Sequence, residues 1–302
     1  MRTERTGRNP GPSWGYAFLS WAERWWPRWI FRPAIMAGTW IGVACLPAQR
    51  AHSRAYLTVV LGRPPTRREV WRHFQAFTDF LLRLLRAGRG AREHCRLEPE
   101  NGPEFDALLA SGEPALFGTF HFGCSDLLGY LLGGNGRRVA MVRLKVDNSD
   151  ETRLLGERFA GAVTFVWVND AAQLVFALKD RLEAGDSLAL KCDRLEFSAK
   201  TAAFDFLGAR RRFPFTIYHL AILFGRPVGF CVALPATAPG ELRVFASPIY
   251  RPDPAASRAA NLATAAAHFQ AVLARLETLV RQHPFLWFNY LPLNPAVPRD
   301  SA

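Results

Sequence analysis

The sequence predicts an α/β fold in which a mixed, mostly parallel central sheet is flanked by helices and follows an N-terminal helical, membrane-associated section. Three observations support this prediction: short β-like runs alternate with helical segments beyond Glu98, a wide apolar helical face precedes them, and tryptophans concentrate in the first forty residues. No internal repeat or linker divides the 302 residues. We therefore expect an N-terminal helical membrane-associated region over residues 1–95 and an α/β domain over residues 96–302.

The N-terminal region has the composition of a membrane surface segment. Six of the nine tryptophans lie before residue 41, interleaved with arginines in WAERWWPRWIFRP, and this mixture suits the head-group layer of a bilayer. Residues 33–49 carry no charge, but their length is at the short end of the roughly 17 to 25 residues that cross a membrane. Partial insertion is favoured over a full crossing. A core helix under a tryptophan-rich cover is the alternative.

Hydrophobic periodicity predicts the remaining elements. A helical pattern with a wide apolar face runs from Arg50 to Leu85, and Gly88 ends it. Further helices are predicted at 123–133, 150–160, 170–184, 214–224 and 256–282, and strands at 115–120, 138–144, 163–168, 187–192, 202–207 and 227–234. Because strands and helices alternate, the sheet is expected to be largely parallel or mixed.

Charge and cysteine content narrow the function classes. The net charge is +12, and almost all of the basic side chains are arginines, which suit phosphate and carboxylate partners. Charge alone leaves nucleic acid, anionic lipids and acidic carrier proteins open, but the clustered aromatics and the lack of a binding motif speak against nucleic acid. The five scattered cysteines lack zinc-site spacing and suggest reduced thiols facing the cytoplasm. The first thirty residues lack the features of a secretory signal.

One segment, TFHFGCSD, carries a candidate catalytic pair. The predicted strand 115–120 ends at His121, Gly123 permits a tight turn, Ser125 can cap a helix, and Asp126 lies in its first turn. Ligands of open α/β sheets bind at the carboxyl ends of strands. A carboxylate can accept a proton from one imidazole nitrogen while the other faces outward as a base. We expect His121 and Asp126 to remove a proton from an acceptor hydroxyl, a reaction that needs no metal.

Three alternatives use the same segment. A serine hydrolase with Ser125 as nucleophile would carry the elbow G-x-S-x-G, but Leu127 stands at the second glycine. Cys124 is a candidate thiol nucleophile, although neighbouring turn positions rarely direct a thiol at an imidazole. A histidine at a strand end can also serve only as a hydrogen-bonded structural residue.

These residues resemble the lysophospholipid acyltransferase superfamily, whose signature is a strand, a histidine, four residues and an acid. They more closely resemble its lipid A biosynthesis acyltransferase-like branch, whose first block reads His-x-Gly-x-x-acid, as at His121, Gly123 and Asp126. Downstream segments resemble further blocks: MVRL (141–144), LKCDR (190–194) and FDFLGARRRFPF (204–215). The ending HPFLWFNYLPL resembles that of predicted acyltransferases of aryl polyene-type pathways.

The resemblance implies a glycerol-3-phosphate acyltransferase-like fold and a membrane-associated O-acyltransferase. Its general base would be His121, oriented by Asp126, and it would take acyl chains from acyl-carrier-protein or coenzyme A thioesters, with no other cofactor and no metal. The substrate-binding residues it implies are Gly123, Arg143, Asp193 and Arg194.

Expected partners are an acyl carrier protein, anionic membrane lipids and an acceptor lipid or glycolipid, at the cytoplasmic face of the inner membrane, with peripheral or single N-terminal attachment. The lipid A enzymes tend to carry basic residues where this chain has Phe-Asn-Tyr after Trp287, so lipid A itself is not the expected acceptor. A non-catalytic lipid-binding or lipid-transfer protein on the same scaffold is the alternative.

Overall fold

The computed structural model describes residues 13–134, 136–143, 159–168, 174–195, 198, 200–238 and 240–298. The chain begins with four helices: α1 (Ser13–Trp25), α2 (Arg28–Cys45), α3 (Pro47–Leu61) and α4 (Arg67–Gly88). Five more follow: α5 (Gly102–Ala110), α6 (Ser125–Gly134), α7 (Leu174–Glu183), α8 (Thr216–Phe224) and α9 (Arg258–Gln282). The strands are β1 (His94–Leu97), β2 (Leu116–Thr119), β3 (Val139–Arg143), β4 (Val163–Trp167), β5 (Ser187–Lys191), β6 (Thr201–Phe206), β7 (Ala209–Pro214), β8 (Val228–Pro235) and β9 (Glu241–Ala246).

The continuous helix expected from Arg50 to Leu85 is two helices. Gly62 follows α3 with a φ of +68°, a left-handed conformation that glycine adopts readily. Thr66 then begins α4 with a capping box, in which its hydroxyl accepts from the Glu69 N–H and its own N–H donates to the Glu69 carboxylate. The helical period continues on both sides of this break, so periodicity alone does not reveal it.

The uncharged segment 33–49 is also divided. Helices α2 and α3 meet at Leu46 with a bend of 95°. Among the residues described, no single helix has both the length and the apolarity for a membrane crossing, and α2 and α3 meet those criteria only as this bent pair. The structure therefore does not contain one straight spanning helix over 33–49.

The predicted α/β fold is confirmed. Seven strands form a mixed, mostly parallel sheet in the order β1-β9-β8-β2-β5-β3-β4, in which only β8 and β9 pair antiparallel. Five of the six predicted strands lie in this sheet. The sixth, β6, pairs instead with β7 in a separate antiparallel hairpin, and β1, β7, β9 and α5 were not predicted. Most of the predicted helix 150–160, and residues 170–173 of the predicted helix 170–184, lie outside the described residues.

Successive side chains of each strand point to opposite faces of the sheet, so the sheet separates two hydrophobic cores. On β8, Val228, Phe230 and Val232 pack with residues of α7, α8 and α9, whereas Cys231 and Ala233 pack with residues of α5 and α6. This is the pattern of a sheet that is covered by helices on both faces. Helix α3 contributes to the first core and helix α4 to both, so the N-terminal helices share the core of the α/β sheet. The carboxyl ends of β2 and β5 meet at the centre of this arrangement.

Candidate active site

His121 and Asp193 meet where β2 and β5 end. The two strands pair in parallel with Thr119 opposite Lys191, so residues two positions further along each strand come side by side. Nδ1 of His121 lies 2.7 Å from Oδ1 of Asp193, and the backbone N–H of His121 donates to Oδ2 at 2.8 Å. The histidine is therefore held to this aspartate through both its ring and its main chain.

Asp193 is a fully buried carboxylate with a third donor. Its side chain has no exposed area, and the indole N–H of Trp287 donates to Oδ2 at 2.9 Å. Burial by itself raises the pKa of Asp193, but the charge and hydrogen bond of His121 and the charges of Arg194 and Lys191 outweigh burial and hold that pKa well below its usual range. Asp193 is consequently ionised at neutral pH.

The imidazole of His121 is neutral at physiological pH. Burial, reinforced by the charges of Arg194 and Lys191, lowers the pKa of His121 to about 4 against the opposing attraction of Asp193. Since Nδ1 faces an ionised carboxylate, it carries the proton, and Nε2 has the lone pair. Nε2 makes no hydrogen bond to any residue that the structure describes, and 18% of the side chain remains exposed. This tautomer has the form of a general base.

Asp126 occupies a different place from the one expected. The Nζ atom of Lys191 lies 3.2 Å from its Oδ1, and a guanidinium nitrogen of Arg143 lies 3.8 Å away. Burial raises the pKa of Asp126, but the charges of Lys191, Arg143 and His121 together lower it to about 2. The hydrogen bond to the imidazole that the sequence assigned to Asp126 is made by Asp193, because strand register brings β5 beside His121 whereas Asp126 lies in the first turn of α6.

Lys191 was not identified from the sequence. Besides Asp126, it donates a hydrogen bond to the carbonyl oxygen of Phe120 at 3.0 Å, which joins the ends of β2 and β5 to α6. The sequence signal is one of only four lysines in a chain rich in arginine, at the end of an apolar strand, but the partner of Lys191 depends on the order of the strands.

Gly123 forms the turn between the histidine and helix α6. Its φ is +60°, and a Cβ atom there would lie 2.2 Å from the carbonyl oxygen of Ala233. The N–H of Cys124 donates to that same oxygen at 2.7 Å. Only glycine allows this approach of the turn to β8.

The two rival nucleophiles of this turn are buried. Cys124 is 3% exposed, and burial, the largest effect, raises the pKa of its thiol to about 12. Ser125 is 3% exposed, and its hydroxyl donates to the carbonyl of Phe122. Neither side chain is hydrogen-bonded to His121 in the described structure, so the geometry does not support either alternative.

Arg143 and Arg194 contact different residues around the site. The guanidinium of Arg143 lies beside the carboxylate of Asp126, and it is 5.8 Å from the centre of the Phe165 ring. Arg194 donates from Nε to the side-chain oxygen of Asn289 at 3.2 Å. Arg194 and Lys191 are close enough to the imidazole to lower the pKa of His121, while Arg143 and Lys191 both lie beside Asp126.

One cavity lies between the N-terminal helices and this turn, and a second lies among the N-terminal helices themselves. One, of about 850 Å³, is lined by Gly123, Cys124 and Phe288 on one side and by residues of α1, α2 and α4 on the other. The second, of about 540 Å³, has an almost wholly apolar lining from the same three helices. Trp26, Phe31 and Ile35 line both cavities, so they adjoin, and both have the size of ligand sites.

Comparison with known proteins gives similarity to solved structures but to no family model or curated protein. No protein-family model matches the sequence, and no curated protein matches it. The chain is similar to the crystal structure of the 1-acyl-sn-glycerophosphate (LPA) acyltransferase PlsC from Thermotoga maritima, with a TM-score of 0.39 and 11% sequence identity, over 85% of this chain and 98% of that chain. A functional assignment therefore has to rest on the geometry of the site and on the sequence blocks.

Proposed function

We propose that the protein is a membrane-associated O-acyltransferase that moves an acyl chain from an acyl-carrier-protein or coenzyme A thioester to a hydroxyl of a lipid or glycolipid. The observation that carries the proposal is the state of His121: a neutral imidazole, held through Nδ1 by the buried carboxylate of Asp193, with Nε2 unbonded to any described residue. Such a group accepts a proton from an incoming hydroxyl. The ordered blocks that resemble acyltransferases support the same reaction.

In the proposed reaction, Nε2 of His121 removes the proton of the acceptor hydroxyl while the hydroxyl oxygen attacks the carbonyl carbon of the thioester. The carbonyl oxygen becomes an oxyanion in a tetrahedral intermediate. The carbon–sulfur bond then breaks, and the imidazolium returns its proton to the leaving thiolate, which gives an ester and a free thiol. Asp193 stabilises the imidazolium between the two proton transfers.

The surrounding cations suit the charge that develops. Lys191 and Arg194 act on His121 and Arg143 lies beside Asp126, and a preorganised positive group stabilises an oxyanion by a few kcal/mol. We assign Asp126 an indirect catalytic role, because its ion pair at 3.2 Å fixes Lys191. We assign Arg143 and Arg194 to the substrate-binding surroundings of His121, whereas the buried Asp193 orients the imidazole and Gly123 forms the turn behind it.

The N-terminal helices are the proposed membrane contact. Trp21, Trp25, Trp29 and Trp40 are 51%, 64%, 76% and 45% exposed, and Arg24 lies 5.3 Å from the Trp25 ring centre. A cluster of exposed tryptophans next to arginines fits a lipid head-group layer. We place this surface on the cytoplasmic face of the inner membrane, near an acyl carrier protein and anionic lipids, and we assign the acyl chain to the adjoining apolar cavity of about 540 Å³.

Thioester turnover tests the proposal. Purified protein is supplied with acyl-carrier-protein and coenzyme A thioesters of several chain lengths and an inner-membrane lipid extract, and both thiol release and lipid products are measured. His121→Ala is expected to lower the rate by about 10² to 10⁴. His94→Ala, which changes an exposed histidine of β1, is the matched control and should keep the wild-type rate.

Two results would contradict the proposal. Equal thiol release by wild type and a folded His121→Ala variant would exclude the general base. Stoichiometric binding of acyl chains without any turnover would instead favour a lipid-binding or lipid-transfer protein, the function that the apolar cavity alone would support.

A further inference from the structure

The segment Phe285–Tyr290 lies across the turn that carries His121. Trp287 forms an antiparallel bridge with Phe122. The N–H of Phe288 donates to the carbonyl of His121, and the N–H of Gly123 donates to the carbonyl of Leu286, both at 2.7 Å. The main chain of this segment is therefore bonded to the turn on both sides of Phe122, directly after the histidine.

The N-terminal helices hold the same segment from behind. Nε2 of His73 lies 2.8 Å from the carbonyl oxygen of Trp287, and Nδ1 lies 2.9 Å from the hydroxyl of Ser53. Both His73 and Ser53 are fully buried, and burial lowers the pKa of His73 to about 4, so the ring is neutral, donates to Trp287 and accepts from Ser53. The hydroxyl of Tyr290 also donates to the carbonyl of His73 at 2.9 Å.

The indole of Trp287 is thus held in place by its packing and by its main chain. It is 2% exposed and lies edge-on to the rings of Tyr56 and Phe206, with ring centres 5.1 and 5.6 Å away. Its one polar atom, Nε1, points at Oδ2 of Asp193. Together with the N–H of His121, it gives Oδ2 two donors, which leaves Oδ1 for Nδ1 of the imidazole.

We propose that Trp287 is a positioning residue, whose indole N–H fixes the rotation of the Asp193 carboxylate so that Oδ1 faces Nδ1 of His121. This role rests on the proposed function of His121 as the base. Without the indole donor, Oδ2 keeps one donor, and the carboxylate can turn about its Cβ–Cγ bond. The negative charge of the Asp193 carboxylate is then stabilised by one hydrogen-bond donor fewer, so the carboxylate attracts the imidazolium of His121 more strongly.

The test removes the N–H and keeps the ring. In Trp287→Phe, and in a variant with benzothienylalanine at 287 that replaces the N–H by sulfur in a ring of equal size, we expect kcat to fall roughly 10- to 100-fold, as for one hydrogen bond to a charged group. KM should be unchanged. The pKa of His121, followed by NMR of ¹⁵N-histidine protein, should rise toward its ordinary value, and the acidic limb of the rate profile should move with it.

Tyr250→Phe provides the matched control, since it removes a buried hydroxyl that donates to the carbonyl of Asn261 at 2.9 Å and has no hydrogen bond to His121, Asp193 or Trp287. It should lower stability without changing kcat or the pKa of His121. A folded benzothienylalanine variant with wild-type kcat and an unchanged pKa of His121 would overturn the positioning role. If the wild type shows no thioester turnover but the pKa shift appears, the positioning role stands and the proposed function fails.

Discussion

Replacement of Asp193 by asparagine separates the two aspartates as partners of His121. The carboxylate accepts three N–H groups, two on Oδ2 and one on Oδ1. An asparagine has one oxygen, and the oxygen satisfies most donors when it takes the place of Oδ2, between Trp287 and the backbone of His121. Its NH₂ group then faces Nδ1, and the imidazole must carry its proton on Nε2 instead. That tautomer cannot accept a proton from a hydroxyl.

The expected losses follow from these contacts. In Asp193→Asn, loss of the general base should lower kcat by a factor of about 10² to 10⁴. Loss of the charge-assisted hydrogen bond should lower the free energy of unfolding by about 1.5 to 3 kcal/mol. In Asp126→Asn the amide oxygen still accepts from Lys191, and the ion pair that disappears is partly exposed on both sides. Because the hydrogen bond to Lys191 is kept and the tautomer of His121 is unaffected, kcat should fall clearly less than in Asp193→Asn.

The assay is thiol release from the thioester, combined with ¹⁵N chemical shifts that report the tautomer of His121. Asp106→Asn, at an exposed position of α5, controls for loss of a carboxylate and should match the wild type. If Asp126→Asn loses as much activity as Asp193→Asn, and the tautomer changes only in Asp126→Asn, the assignment of Asp193 as the partner of the imidazole is wrong.

Three other predictions concern stability, pH and membrane binding. In urea unfolding, Gly123→Ala should lower the free energy of unfolding by clearly more than the ~1 to 2 kcal/mol that a left-handed backbone costs, because the new Cβ would lie 2.2 Å from the carbonyl oxygen of Ala233. Gly62→Ala is the control: it has a φ of +68° but open space around it, so it should show only the backbone cost. Since the pKa of His121 is lowered to about 4, kcat/KM should stay constant as pH falls through 6.5 and decline only near pH 4, and a decline centred at 6.5 would contradict this. The same shift means that the unfolded chain binds more protons between these values, so the contribution of His121 to stability is lost as pH falls from about 6.5 to 4. Trp29→Ala should reduce co-sedimentation with anionic vesicles without a change in melting temperature, because this side chain is 76% exposed; unchanged vesicle binding would argue against the proposed membrane surface.

Local patterns were sufficient for the main elements of the site. The apolar run before His121 and the glycine two residues later place a histidine at the carboxyl end of a strand and a turn of positive φ behind it, and the structure contains both. These features depend on neighbouring residues only. The same is true of five strands of the central sheet, whose apolar runs are short and bounded by turns.

Features that depend on strand order were not accessible in this way. Asp193 and Lys191 are some seventy residues from His121 in sequence, and they become its neighbours only because β5 lies between β2 and β3. Strand β7 has three consecutive arginines and no apolar alternation over that stretch, so its sequence does not indicate a strand, and it pairs outside the main sheet. Thr66 and Glu69 carry a capping signature that the continuous helical period obscured.

The electrostatics of the site explain why a buried histidine beside a carboxylate stays neutral. Asp193 alone would favour the imidazolium, but the combined effect of burial, Arg194 and Lys191 is larger and lowers the pKa of His121. Burial and the charges of Arg194 and Lys191 therefore keep the base unprotonated before reaction, and in the proposed reaction an anionic transition state would partly offset these two positive charges. In the proposed reaction, an oxyanion that forms near these cations would decrease their unfavourable effect on the imidazolium, while the attraction of Asp193 would persist. The basicity of His121 should consequently rise during the step in which it accepts the proton.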